Sequence, residues 1–175
     1  MPQPPTAALL EGDVAVPFVG AANATAVGGG LELLLACDVI VASSDARLGL
    51  AEVKRGLFPG GMGTLLGTQT SSIALEMTLS GESIGVARAY EVGLVNAVVL
   101  PGDVMGAALA SAERIAANAP LGLAACKSLA RLGVGAPPDG AGLLAHWQST
   151  VFGSEDAKEG AAAFIERRPP VWSGR

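Results

Sequence analysis

The chain has 175 residues, of which 50% are hydrophobic and 15% charged, enough for one domain with a sizeable core and too apolar for wholesale disorder. Sixteen acidic residues against eleven Lys and Arg give a net charge of −5, a balance that argues against general nucleic-acid or anionic-membrane binding. The 24 glycines and 11 prolines follow no Gly-X-Y period, which excludes collagen, and 4% aromatics leave the core to Ala, Leu, Val and Ile.

Residues 1–16 read as an irregular lead-in rich in Pro and Ala. Pro17–Ala22 (PFVGAA) is a short apolar run suited to a buried strand. Gly28-Gly29-Gly30 opens a helix over Leu31–Cys37 with apolar residues on every side, which predicts burial all round. Asp38–Ser43 reads as a second buried strand, dense in β-branched residues. Arg47–Leu50 is a short strand ending near Glu52, and residues 54–64 form a glycine-rich loop leading into another helix. Ile84–Val92 is predicted helical, capped by Ser83 or Gly85 and stopped by Gly93. Val95–Leu100 follows as a strand. Asp103 is placed to cap a helix reaching about Asn118, with Val104, Ala107, Ala108 and Ile115 on one face. Pro120 suits the first turn of the next helix, which Gly133 ends. Residues 133–142 read as a loop and Leu143–Phe152 as helical. For the last helix Ser154 is the cap, Glu155 and Asp156 sit in the positive first turn, and Arg167 and Arg168 sit in the negative last turn. Ala157, Ala161, Phe164 and Ile165 form its apolar repeat, and Pro169-Pro170 stops it. There is no internal repeat. Strands with crossovers come first and helices later, which defines an α/β chain with a helical tail.

Cys37 and Cys126 make no disulfide scaffold and have no metal-like neighbourhood, so both read as buried small hydrophobes. The single histidine, His146, excludes a multi-histidine metal site; with Trp147 it reads as packing. The N-terminus has no basic segment followed by an apolar core. The longest apolar tract, residues 26–42, holds Glu32, Asp38 and three glycines. Neither a secretory signal nor a membrane span is expected, and a reducing, cytoplasmic setting is the default. So little charge also implies that another subunit covers some apolar surface.

Three features could carry chemistry. Glu32 lies inside GGGLELLLACDVIV, where an unpaired carboxylate is costly to bury. Its helical neighbours, Gly28, Gly29, Leu35 and Ala36, include no cation. Either a distant N–H or Arg satisfies it, or it is a carboxyl held in an apolar pocket for proton transfer. The triple glycine either packs backbone tightly or brings N–H groups close to an oxyanion. It is neither a GxxxxGK[ST] nor a GxGxxG motif. Glu52 is either a surface acid paired with Lys54 or Arg55, or the second member of a carboxylate pair flanking a water.

The ordered segment AANATAVGGGLELLLACDVIVASSDARLGLAEVKRGLFPGGMGT resembles the central signature of the crotonase (enoyl-CoA hydratase/isomerase) superfamily. That signature joins an apolar strand, GGG-x-E-L-x-x-x-C-D, a short strand ending in E, and a G-x-x-P-G-x-G-G-T-like loop. The likeness continues through LEMTLSGESI, RAYEVGLVNAVV and FGSEDAKEGAAAFIERRPPVWSGR, and so covers residues 17–175. It implies a partial crotonase-like ββα superhelix over residues 17–101, carrying the active-site residues, and a helical trimerisation region over 102–175. Gly29 matches a backbone oxyanion donor, with Gly28 beside it. Glu32 and Glu52 match the two catalytic glutamates of the hydratase branch, and Gly60 a backbone position near the catalytic water. Phe164 and Arg167 match positions that help hold the CoA of a neighbouring subunit. The resemblance further implies hydration of a trans-2-enoyl-CoA, with the thioester as substrate and no metal or redox cofactor, in a homotrimer or homohexamer. Isomerisation of an enoyl-CoA, another enolate-forming reaction, and non-catalytic acyl-CoA binding are the alternatives. Family members carry further N-terminal sequence with an A-x-x-G-x-D-like segment that supplies the other oxyanion donor. A chain lacking that donor is expected to hydrate crotonyl-CoA negligibly. The loop reads GGMGT where the family has GAGGT, and residues 64–79 are about two residues shorter than is usual.

Overall fold

The computed structural model describes residues 14–55, 57, 59, 71–131 and 140–175. The expectations for the lead-in, for most of the 54–64 loop with Gly60, and for Gly133 as a helix stop lie outside the described residues. The chain divides into two compact units, one containing residues 18–112 and the other residues 15–17 and 113–175.

The first unit carries two three-stranded sheets. One has β1 (Val19–Ala22), β3 (Val39–Ser43) and β6 (Ala97–Val99), in the order β1-β3-β6 and all parallel, with Val19 opposite Val39 and Val41 opposite Ala97. The other has β2 (Ala26–Val27) parallel to β4 (Arg47–Gly49), which pairs antiparallel with β5 (Ile84–Gly85). Twice the chain runs from the first sheet to the second, as β1–β2 and then β3–β4. Helix α1 (Gly29–Leu35) closes the first of these turns. Parallel partners one turn apart, joined through a helix, make a ββα spiral.

β3 is the centre of its sheet because both its faces find apolar partners. Ile40 and Ala42 join a core with Leu31, Leu34 and Leu35 of α1, Leu48 and Leu50, and Met77 of α2 (Ser71–Ser80). Val41 faces the other way, onto Val104 and Ala108 of α4 (Val104–Ala116). The alternation is that of a strand covered on two sides, which is why VIVAS has no polar face. α1 lies hard against β1 at Gly20, where a Cβ would stand 2.8 Å from Leu34 Cδ1 and 3.1 Å from Cys37 Sγ.

Several expectations need correction. α1 is not buried all round: Leu33 is exposed, as are Gly29 and Gly30. Ile84 and Gly85 are strand, paired with β4, so α3 spans only Val86–Glu91, with Gly85 as its N-cap. Pairing with β4 outcompetes the helical pattern there. Asp103 is not an isolated cap but the last residue of a 3₁₀ turn, Pro101–Asp103, that runs into α4. Cys37 is half-buried and Cys126 exposed.

The second unit is helical. It holds α5 (Pro120–Ala130), α6 (Gly140–Phe152) and α7 (Glu155–Glu166). α6 takes in residues 140–142, which composition assigned to a loop. Ser154 caps α7 as expected, its Oγ accepting the Ala157 N–H at 3.0 Å. Arg167 and Arg168 lie beyond the last turn, and Arg167 reverses the chain in the left-handed region at φ 54°. The return segment folds back onto the start of α7. Buried Asp156 accepts from Ser173 N–H at 2.6 Å, Ser173 O–H at 2.9 Å and Gly174 N–H at 2.9 Å. Glu159 accepts from Arg168 and from the Val171 N–H, and the Trp172 indole donates to the Ala117 carbonyl at 2.8 Å. Ala161, Phe164 and Ile165, predicted as an apolar face, are exposed in the single chain.

Candidate active site

The site is built where β2 hands over to α1. The Gly28 N–H donates to the Gly49 carbonyl at 3.0 Å, which ties the turn to the end of β4. Gly28 has φ 55° and ψ −133°, a conformation L side chains rarely adopt. Its own carbonyl accepts the N–H groups of Leu31 and Glu32 at 2.9 and 3.0 Å. The amides of Gly29 and Gly30 precede the first intrahelical bond and find no acceptor among the described residues.

β4 delivers the second component. Leu48 and Leu50 are fully buried, which anchors the strand end. Glu52 then opens a 3₁₀ turn, Glu52–Arg55. A Cβ on Gly28 would lie 3.1 Å from Glu52 Oε1, and a Cβ on Gly29 would lie 3.9 Å from Glu32 Oε2. Both carboxylates therefore border the same two-residue glycine segment. Oε2 of Glu52 is buried and has no hydrogen-bond partner. The reading of Glu52 as a surface acid paired with Lys54 or Arg55 is overturned. Lys54 pairs with Glu82 at 2.5 Å instead, and Glu52 is only half-exposed. Burying carboxylate oxygen with no donor is costly, and native structures keep such groups rarely.

Of the sequence candidates, the fold thus brings together Gly28, Gly29, Glu32 and Glu52. Gly60 lies outside the described residues. Phe164 and Arg167 belong to the second unit, where both side chains are exposed. Sequence reasoning assigned Gly49 no part in the site and Ser83 only a capping part; Gly49 accepts the Gly28 N–H, and Ser83 lies against Gly49. The available signal was a glycine at the end of a strand pattern, which marks close approach of another backbone. Among the described residues no cluster of three His, Cys, Asp or Glu could hold a metal ion. No helix there is long and apolar enough to cross a membrane.

A spiral of ββα turns, with two carboxylates set against a glycine-opened helix, is the arrangement that the crotonase resemblance implies. The chain belongs to the enoyl-CoA hydratase/isomerase family, whose sequence profile matches residues 8–175. It is 42% identical over 166 residues to an (E)-benzylidenesuccinyl-CoA hydratase of Thauera aromatica, covering 90% of this chain and 63% of that protein. It is 40% identical over 167 residues to a carnitinyl-CoA dehydratase of Escherichia coli, covering 91% and 64%. The chain therefore spans less than two thirds of either relative's length. Among solved structures, an enoyl-CoA hydratase from Mycobacterium tuberculosis matches with TM-score 0.86 and 43% identity over 92% of this chain and 65% of that one. One from Bacillus anthracis matches with TM-score 0.88 and 32% identity over 97% and 68%. The fold is the crotonase fold, with a helical C-terminal region.

Proposed function

We propose that this chain carries the acid/base half of a site that adds water across the 2,3 double bond of a trans-2-enoyl-CoA. The observation that carries the reading is the buried, unpartnered Glu52 Oε2 beside the glycine segment that Glu32 also borders. A carboxylate left without donors by its own protein is available to a water or substrate proton. The two similar relatives are named for hydration and dehydration of CoA thioesters, which supports the same reaction class.

In this reading the Gly29 N–H donates to the thioester oxygen. Negative charge grows on that oxygen as the water oxygen bonds to C3. A backbone donor there is worth about 3 kcal/mol in the transition state. Glu52 accepts the proton that the attacking water loses. The C2–C3 π pair moves into the enolate, and C2 then takes a proton from a carboxyl, which completes the addition of one water. Glu32, which borders the same glycine segment, orients the water and shares the proton work. The CoA thioester is substrate, and the reaction calls for no metal or redox cofactor. Phe164 and Arg167, exposed on the second unit, are assigned to the CoA of a neighbouring copy in a homotrimer or homohexamer.

Hydration of crotonyl-CoA tests the proposal, using protein expressed from the whole reading frame that contains this sequence. Glu52→Gln should lower kcat by about a hundredfold or more with little change in KM, because it removes proton transfer and leaves binding. Unchanged kcat rejects the role of Glu52. Binding of the thioester without turnover by the unsubstituted protein rejects the hydratase reading, as does migration of the double bond in place of hydration.

A further inference from the structure

Glu52 Oε2 has no hydrogen bond and Oε1 lies against the bare Cα of Gly28, so the carboxylate takes its position from the backbone of its turn. Among the described residues, α2 packs on that turn, and Gly81-Glu82-Ser83, which follows α2, touches the chain on either side of Glu52. Gly81 sits at φ 65°, and a Cβ on it would stand 3.0 and 3.1 Å from Cγ and Cε of Lys54 and 3.1 Å from Cγ2 of Val53. The Lys54 stem thus crosses Gly81 closely, and its ammonium pairs with Glu82 Oε1 at 2.5 Å. On the other side of Glu52, the β4–β5 register pairs Arg47 with Gly85 and Leu48 with Ile84, so its next rung sets Ser83 opposite Gly49. There a Cβ on Gly49 would overlap Ser83 Oγ and stand 2.9 Å from its Cβ. The Arg47 guanidinium donates to the Ser83 carbonyl at 2.5 Å. Gly49 in turn accepts the Gly28 N–H, and Gly28 faces Glu52.

We infer that Gly81-Glu82-Ser83 is a brace that grips the chain on both sides of Glu52 and sets the reach of its carboxylate. Lys54, Glu82 and Ser83 are then positioning residues that act on the reaction only through the turn. The inference rests on the acid/base reading of Glu52. The alternative role, stability alone, predicts little effect of any kind, because exposed ion pairs contribute weakly. Positioning predicts a loss confined to turnover, since displacement of a reacting group by about 1 Å can cost about a hundredfold in rate.

Charge reversal across the Lys54–Glu82 pair tests the brace, again with crotonyl-CoA and protein from the whole reading frame. Lys54→Glu and Glu82→Lys should each lower kcat about tenfold with KM unchanged, and the double reversal should recover most of the loss. Lys54→Met keeps the stem over Gly81 and removes only the charge; it is the milder variant if the reversals fold poorly, with about a threefold loss of kcat expected. Single variants with wild-type kcat overturn the brace. So does a double reversal that recovers nothing, or a loss seen equally in KM. Glu52→Gln in the same series separates the two ideas. If it leaves kcat intact, the acid/base reading fails; if it abolishes turnover while the reversals do not, only the brace fails.

Discussion

Gly28 bears two constraints that a single methyl group would violate together. Its backbone lies where only glycine is unstrained, and a Cβ would press on Glu52 Oε1 from 3.1 Å. Gly28→Ala is expected to destabilise the fold by about 1–3 kcal/mol and to lower kcat by displacing the carboxylate. Denaturant midpoints check the first effect and crotonyl-CoA hydration the second. Gly29, next to it, has no left-handed φ and meets Glu32 Oε2 only at ordinary contact distance, 3.9 Å. The triple glycine is therefore not one requirement stated three times. Gly28 is demanded by the turn and by the carboxylate behind it, whereas Gly30 would meet nothing within 4 Å.

At the level of elements, strands with two covered faces were legible because their apolar runs have a single explanation. Pro17–Ala22 contains β1, and Asp38–Ser43 contains β3 nearly to the residue. Glu32 stood out as an acid in apolar surroundings, whereas Glu52, beside Lys54 and Arg55, took its role from the family resemblance. Sequence could not show that both border Gly28-Gly29, because that depends on the pairing of β2 with β4, two residues on three, a signal too short to read. Ile84-Gly85 was misread for the same reason. The end of α7 was misread because Arg167 and Arg168 look like charges that complement a helix C-terminus, yet Arg168 serves Glu159 across the chain reversal. That contact, with the Val171 N–H, pulls the Glu159 carboxyl down to about 2 from the usual 4.5. The Ser173 and Gly174 donors likewise hold Asp156 below its ordinary range. A carboxyl with a lowered folded value contributes stability above its unfolded value and loses it as pH falls toward the folded one. The return segment should therefore stay latched at neutral pH and loosen between about 4.5 and 2. The Trp172 indole N–H, bonded to the Ala117 carbonyl, is the reporter; its NMR resonance should become exchangeable over that window. Asp156→Asn should move the loss toward neutral pH, and an unchanged profile would count against the latch.

Across the whole molecule, apolar side chains stand uncovered on the last helix. Phe164 is 87% exposed and Ile165 79%, adjacent on α7. If copies of the chain cover this face, Phe164→Glu with Ile165→Glu should convert a trimer or hexamer to monomer in sedimentation, with secondary structure retained. A wild-type protein that sediments as a monomer at micromolar concentration rejects the assembly. The first sheet has a different kind of open surface. Among the described residues, β1 is paired to β3 along one side only. Its other side, unpaired among the described residues, carries main-chain groups of Val19–Ala22 in strand spacing. A spiral sheet of this kind is extensible, because each new course needs only the rim of the one before it.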